Sequence, residues 1–324
     1  MSESISIATS LLDDTQREIK QKNKKYALFC ALFSQFIWAI NGIQLKTYRN
    51  FFPNQFSLNS LTFWRSVPIW GLGYFFAKKN NIEITPYNKI QSKFWFFARS
   101  AGNYLCIVLW IIELSYFRLS TCQCICNCNP VFVLILSSFI LHEKFYIRYL
   151  MGIIISLMGT FLIVLNEKKQ DPKTEIKKEN KNMFVGLCIA SLHLMMVGIV
   201  TLGQKMMIKE NIHGIVQNYF LGMYNTLPAF FVCCFEMHFG FSNILYCIYA
   251  LSNGFIFYIA AFYQSECLEY MSMSNYLPIS YTNIVFIFIL GLIFLGENIF
   301  MTDILGSLLI LGFQLYNVYI PIKK

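Results

Sequence analysis

Arg65 and Arg99 are the residues whose chemistry most needs explaining, because each stands inside an otherwise apolar run. An ionisable group surrounded by hydrocarbon is costly, so it faces a bundle interior, pairs, or snorkels. Both lie about two helical turns from the end of their run, which leaves two readings open. Either they line a polar cavity, or their methylene stems carry the charge out to the interface. Lys46 and Lys205 close two further apolar runs, where a lysine recruits anions to a pore mouth or anchors the helix at the interface. Asn41, Asn103, Asn225, Asn253 and Asn283 are spread over five runs. Amides in an apolar medium seek hydrogen-bond partners. They either join helices or together line a cavity that binds a polar solute without demanding a net charge.

Cys122, Cys124, Cys126 and Cys128 alternate through one segment. On a helix, 122 and 126 share one face while 124 and 128 share another. One helix therefore cannot offer all four thiolates to a tetrahedral metal, and the run reads as small packing residues. Glu143 and Glu297 sit in short turns before apolar runs, where a carboxylate satisfies free amides at a helix start; coupling to protons is the other reading. Gly152, Ser156 and Gly159 make a small-residue stripe that allows close helix approach, either within the chain or in a homodimer. Pro130, Pro228 and Pro278 break or kink their helices. His142, His193, His213 and His238 show no metal spacing, and no P-loop pattern is present. Neither a metal nor a cofactor is expected, and no catalytic set emerges.

The elements that hold these residues follow from composition. The 324 residues are 56% hydrophobic and 17% aromatic but only 13% charged. Soluble domains carry about 25% charged residues. With so few charges and a mean hydropathy of +0.50, a water-facing surface would be left with large apolar patches. That excludes an ordinary soluble enzyme. The net charge of +9 does not imply nucleic acid as a partner, since the basic residues flank apolar runs rather than forming a patch. The abundance of apolar and aromatic residues excludes disorder for the bulk of the chain. Eleven cysteines lie mostly inside apolar runs, unlike the disulfide framework of a small secreted domain.

A helix crossing a bilayer needs about 20 apolar residues. Ten runs qualify: 26–45, 58–77, 94–113, 121–141, 149–165, 183–204, 215–235, 244–264, 271–296 and 304–320. The expectation is thus an all-α, multi-pass membrane protein in contact with the lipid bilayer. Residues 1–25 read as a polar cytosolic tail rather than a cleavable signal, residues 166–182 as a charged linker, and 321–324 as a short C-terminal tail. Lysines and arginines number fifteen on the N-terminal side of the membrane and nine on the other, six of the nine within the linker. This bias puts both termini in the cytosol.

Self-similarity sets the architecture. An offset of 154 pairs Tyr116 with Tyr270, Asn129 with Asn283, Glu143 with Glu297 and Gly152 with Gly306. A fainter echo pairs Leu28, Ala31, Ile40 and Lys46 with Leu187, Ala190, Ile199 and Lys205. Each half, 26–165 and 183–320, then holds five helices. Because five is odd, the second half enters the membrane inverted. Inverted repeats are characteristic of secondary transporters, with the binding site near the midplane where the repeats meet.

The motifs carrying this repeat resemble a known family. Arg99-Ser100-Ala101-Gly102, Tyr116-Phe117-Arg118-Leu119-Ser120, Asn129-Pro130-Val131-Phe132 and Leu141-His142-Glu143 look like the second part of an EamA domain. Residues 270–274, Leu277-Pro278, Leu295-Gly296-Glu297 and Gly306 repeat the likeness. The EamA domain is the repeat unit of the drug/metabolite transporter superfamily, whose members export amino acids or drugs, or exchange nucleotide sugars and phosphorylated metabolites. The resemblance implies a secondary carrier of a small polar solute, rocking its halves around a central cavity. Residues 271–296 contain no basic residue, which departs from phosphate-exchanging branches and argues against a nucleotide sugar. Two other functions stay open: a membrane-embedded enzyme acting on lipid or carbohydrate, or a non-transporting scaffold or sensor.

Overall fold

The computed structural model describes residues 23–45, 47, 58–84, 93–116, 129–140, 142, 183–237, 239 and 244–295, with helical residues scattered through 150–162 and 301–312. The helices are α1 (Asn23–Leu45), α2 (Leu58–Lys79), α3 (Lys93–Ser100), α4 (Gly102–Tyr116), α5 (Asn129–Ile140) and α6 (Leu150–Gly159). They continue with α7 (Met183–Lys209), α8 (Gly214–Glu236), α9 (Ile244–Tyr270), α10 (Met273–Ser280) and α11 (Thr282–Leu295). Among the described residues there is no strand. The linker 166–182, the cysteine run, Lys46, Glu143, Ser156 and Glu297 lie outside the described residues.

Among the described residues, four helical stretches are long and apolar enough to cross a membrane: Asn23–Leu45, Phe184–Lys209, Ile244–Tyr270 and Met273–Phe294. At 1.5 Å per residue, the 27 residues of α7 and of α9 each reach about 40 Å, beyond a hydrocarbon core of about 30 Å. The polarity is inside out for a water-soluble fold. Phe184, Phe231, Phe235, Leu245 and Ile293 are exposed, whereas Gln35, Asn41, Arg65, Arg99, Glu113 and Gln217 are buried. Lipid rewards that arrangement, since the apolar faces lose nothing there and the polar groups find one another inside.

Local signals end the helices where the chain must turn. After α2, Asn81 takes the left-handed conformation with φ 54° and Ile82 N–H donates to the Ala77 carbonyl at 2.8 Å. After α7 the same device recurs, with Asn211 at φ 60° and Ile212 N–H donating to Met207 at 3.0 Å. Asparagine tolerates this conformation better than most residues. His213 then caps α8, its Nδ1 accepting from Ile215 N–H at 3.2 Å. Pro278, which has no amide to donate, lies just before the break between α10 and α11 at Tyr281. Pro68 and Pro228 sit within α2 and α8 without dividing them.

Helix α2 packs chiefly on α8 and α9, α3 and α4 pack on α7, and α5 packs on α7 and α10. Among the described glycines, three meet the backbone of the helix opposite closer than 3.0 Å from where a Cβ would stand. A Cβ on Gly73 would strike the Tyr219 backbone, and one on Gly222 would strike the backbone at Trp70. The two helices thus touch backbone to backbone through reciprocal glycines. A Cβ on Gly254 would run into the Arg65 carbonyl, so α9 crosses α2 at the residue that carries a buried charge.

Candidate functional site

Between these crossings lies a chamber of about 400 Å³ whose lining comes from α1, α2, α3, α4, α5, α7, α9, α10 and α11. Arg65, Arg99, Asn41, Asn103 and Asn283 line it, all five of them residues the sequence marks as candidates. Arg65 and Arg99 retain only 7% and 5% of their exposure, so neither guanidinium reaches a membrane surface along its stem. Arg65 Cζ stands 4.5 Å from the centre of the Phe257 ring, where the negative face of the ring offers partial compensation. Arg99 rests against α7, whose Gly203 leaves room for its Cβ.

Amides join α1 to the helices of the second half around this space. Gln35 Nε2 donates to Tyr276 Oη at 2.8 Å, and Asn283 Nδ2 donates to the Gln35 carbonyl at 2.8 Å. Trp38 Nε1 donates to Gln264 Oε1 at 3.0 Å. Further along α1, Asn41 Nδ2 donates to the Asn253 carbonyl at 3.3 Å, and Asn253 Nδ2 to Gln44 Oε1 at 3.1 Å. Across the chamber, Gln204 Nε2 donates to Ser265 Oγ at 2.8 Å. In the same wall His193 Nδ1 lies 2.7 Å from Glu113 Oε2, joining α7 to α4 with the carboxylate fully buried.

Three candidates stand outside the lining. Asn253 serves the α1–α9 seam just described, and Asn225 is buried in α8. Lys205 borders a separate pocket of about 600 Å³ at the end of α7, together with Lys209, His213 and Glu269. Its Nζ donates to the carbonyls of Leu268 and Met271, the latter at 2.8 Å, and so satisfies acceptors at the C-terminal end of α9. Gly152, Gly159 and Gly306 are buried in their helical segments. The candidates drawn from sequence do not include Gln35, Gln204, Gln264, Trp38, Trp110 and Asn129, which also line the chamber. A buried glutamine inside an apolar run carries the same signal as an asparagine, and Asn129 is visible in the sequence as the repeat partner of Asn283.

The lining has an internal order. Trp38 and Val197, Asn41 and Val200, Gly42 and Thr201, and Leu45 and Gln204 are each 159 positions apart, and all eight line the chamber. Asn103 and Phe257, Trp110 and Gln264, and Asn129 and Asn283 are each 154 positions apart and line it too. These are the spacings of the two sequence echoes.

Comparison with known proteins fits this geometry. A crystal structure superposes with a TM-score of 0.71, covering 90% of this chain and 98% of its own, at 11% identity. At that identity the likeness is one of fold alone. No curated protein matches the sequence. The model of the EamA-like transporter family matches residues 25–165. The resemblance carried by the sequence motifs therefore stands, and residues 25–165 bear the pattern of the EamA-like transporter family.

Proposed function

We propose that this protein is a secondary-active transporter of a small polar metabolite, built as ten membrane helices in two inverted five-helix repeats, 26–165 and 183–320. The solute occupies the central chamber, which opens alternately to the two sides as the repeats rock about it. Both termini face the cytosol in this reading, and the linker 166–182 joins the halves. The observation that carries the proposal is the paired lining: residues related by the two repeat spacings meet at one cavity. A site on the pseudo-twofold axis of inverted repeats would have that property.

The packing pattern supports it as well. Exchanging each helix for its counterpart turns α2–α9 into α8–α3, and both pairs pack together. The same exchange relates the α1–α9 hydrogen bonds to the α4–α7 packing. It also relates the α1–α10 bond from Gln35 to the α5–α7 packing. The match of residues 25–165 to a transporter family points the same way. Counterflow tests the proposal. Proteoliposomes are preloaded with one unlabelled metabolite class at a time and offered the labelled solute outside. Accumulation above protein-free vesicles for at least one class is expected; no class exchanging in protein of verified fold would overturn it.

A further inference from the structure

The chamber's hydrogen-bonding capacity is unbalanced toward donors. Arg65 Nε, Arg99 Nε and Asn103 Nδ2 are buried with no partner among the described residues, and all three residues line the cavity. Against them stands one similarly idle acceptor, Asn129 Oδ1. No aspartate or glutamate is among the described lining residues. Glu113 is not among those lining residues; its Oε2 lies 2.7 Å from Nδ1 of the lining His193, and its Oε1 is buried without a partner among the described residues. Phe257 attends one guanidinium as a neutral ring. Two desolvated cations beside unused donors leave a region of positive potential, and low dielectric strengthens it relative to water.

We propose that the transported solute is a small organic anion whose oxyanion group, a carboxylate or phosphate ester, is gripped by Arg65 and Arg99. This inference rests on the transport reading for its site and deepens it by naming the substrate class. A guanidinium presents donors in a planar fork that matches carboxylate and phosphate oxygens. Asn103 supplies a further neutral donor. The chamber's volume of about 400 Å³ lies at the small end of ligand pockets, which run from about 300 to 1,000 Å³. The solute is therefore compact. Organic cations are excluded by the same field that recruits the anion.

The test uses the full-length protein purified in detergent, with succinate, glycerol phosphate, glucose and choline as probes. Succinate or glycerol phosphate is expected to raise the thermal unfolding midpoint in a saturable manner, while glucose and choline leave it unchanged. Which anion acts distinguishes carboxylate from phosphate ester. Arg65→Gln and Arg99→Gln should each weaken the anion's apparent affinity by roughly 30-fold or more, the scale for losing one partner of a desolvated charge pair. Because either variant can misfold, Asn103→Asp serves as an independent arm. It keeps the side chain's shape, adds a negative charge at the lining, and should abolish anion stabilisation. The inference is overturned if no anion stabilises the protein, if glucose or choline stabilises it equally, or if the variants bind the anion undiminished. An anion that binds through these arginines but crosses no membrane would leave its recognition by Arg65 and Arg99 standing and defeat the transport reading. A carried cation with no anion binding would do the reverse.

Discussion

Replacing Gly254 by alanine should destabilise the protein through a single methyl group. An added Cβ would fall well inside contact distance of the Arg65 carbonyl and 3.0 Å from Pro68 Cγ. The first obstacle is backbone, so no side-chain rotation relieves it, and α9 must move away from α2. Overpacking of this kind costs about 1–3 kcal/mol, and a backbone obstacle belongs at the upper end. Alanine's better helix propensity returns about 1 kcal/mol. A net loss of about 2 kcal/mol follows from these two terms. Gly71 is the control, an exposed glycine in α2 where an added Cβ would meet nothing within 4 Å. Gly71→Ala should be neutral or stabilising by up to about 1 kcal/mol. Thermal unfolding of the two variants in detergent reads the difference directly. If Gly254→Ala unfolds at or above the temperature of Gly71→Ala, the close crossing at Arg65 is wrong.

Removing the imidazole of His193 leaves the fully buried Glu113 Oε2 without that partner, and stranding a buried polar group costs about 1–3 kcal/mol, more where it is charged. His193→Leu should therefore lower the unfolding midpoint markedly, and adding Glu113→Leu should recover much of the loss; a double variant worse than the single would contradict the pairing. Lys205→Met leaves the Leu268 and Met271 carbonyls without their donor, at a cost of about 1–3 kcal/mol. Stability equal to the parent would show that the lysine does not serve them. Gly73→Leu and Gly222→Leu should each disrupt the α2–α8 crossing and lower the yield of monodisperse protein, whereas Gly71→Leu should not.

Much of the helix order is legible in the sequence because membrane-compatible runs announce themselves by length and by missing charge. Described helical residues fall within every expected run from 26–45 to 304–320, and four of the described stretches are long and apolar enough to cross a membrane. Arg65 and Arg99 are legible as expensive residues, but their direction is not. Distance from a helix end allows both snorkelling and burial, and the packing of α9 and α7 decides between them. Lys205 shows the converse. Its place at the end of an apolar run suggests an interfacial anchor or a pore mouth, yet carbonyls at the end of α9 lie within its reach, a contact between helices that no spacing along the chain reveals. Glutamines escape a reading that attends to asparagines alone. The seams they form, Gln35 to Tyr276 and Gln204 to Ser265, bridge residues 241 and 61 positions apart. Gly73, Gly222 and Gly254 are silent in the sequence for the same reason, since a glycine's value at a crossing depends on the helix opposite.

The central claim is that one chamber is reached in turn from both sides of the membrane, and Ser280 offers the direct test. It lines the chamber near the end of α10, and cysteine nearly matches its size. A Ser280→Cys protein, with the eleven native cysteines replaced, is reconstituted in vesicles of defined orientation. A membrane-impermeant thiol reagent is applied to one face at a time. Labelling from either face is expected, together with protection against both by the solute that the vesicles exchange. Labelling from one face only, under every loading condition, would contradict alternating access to the chamber.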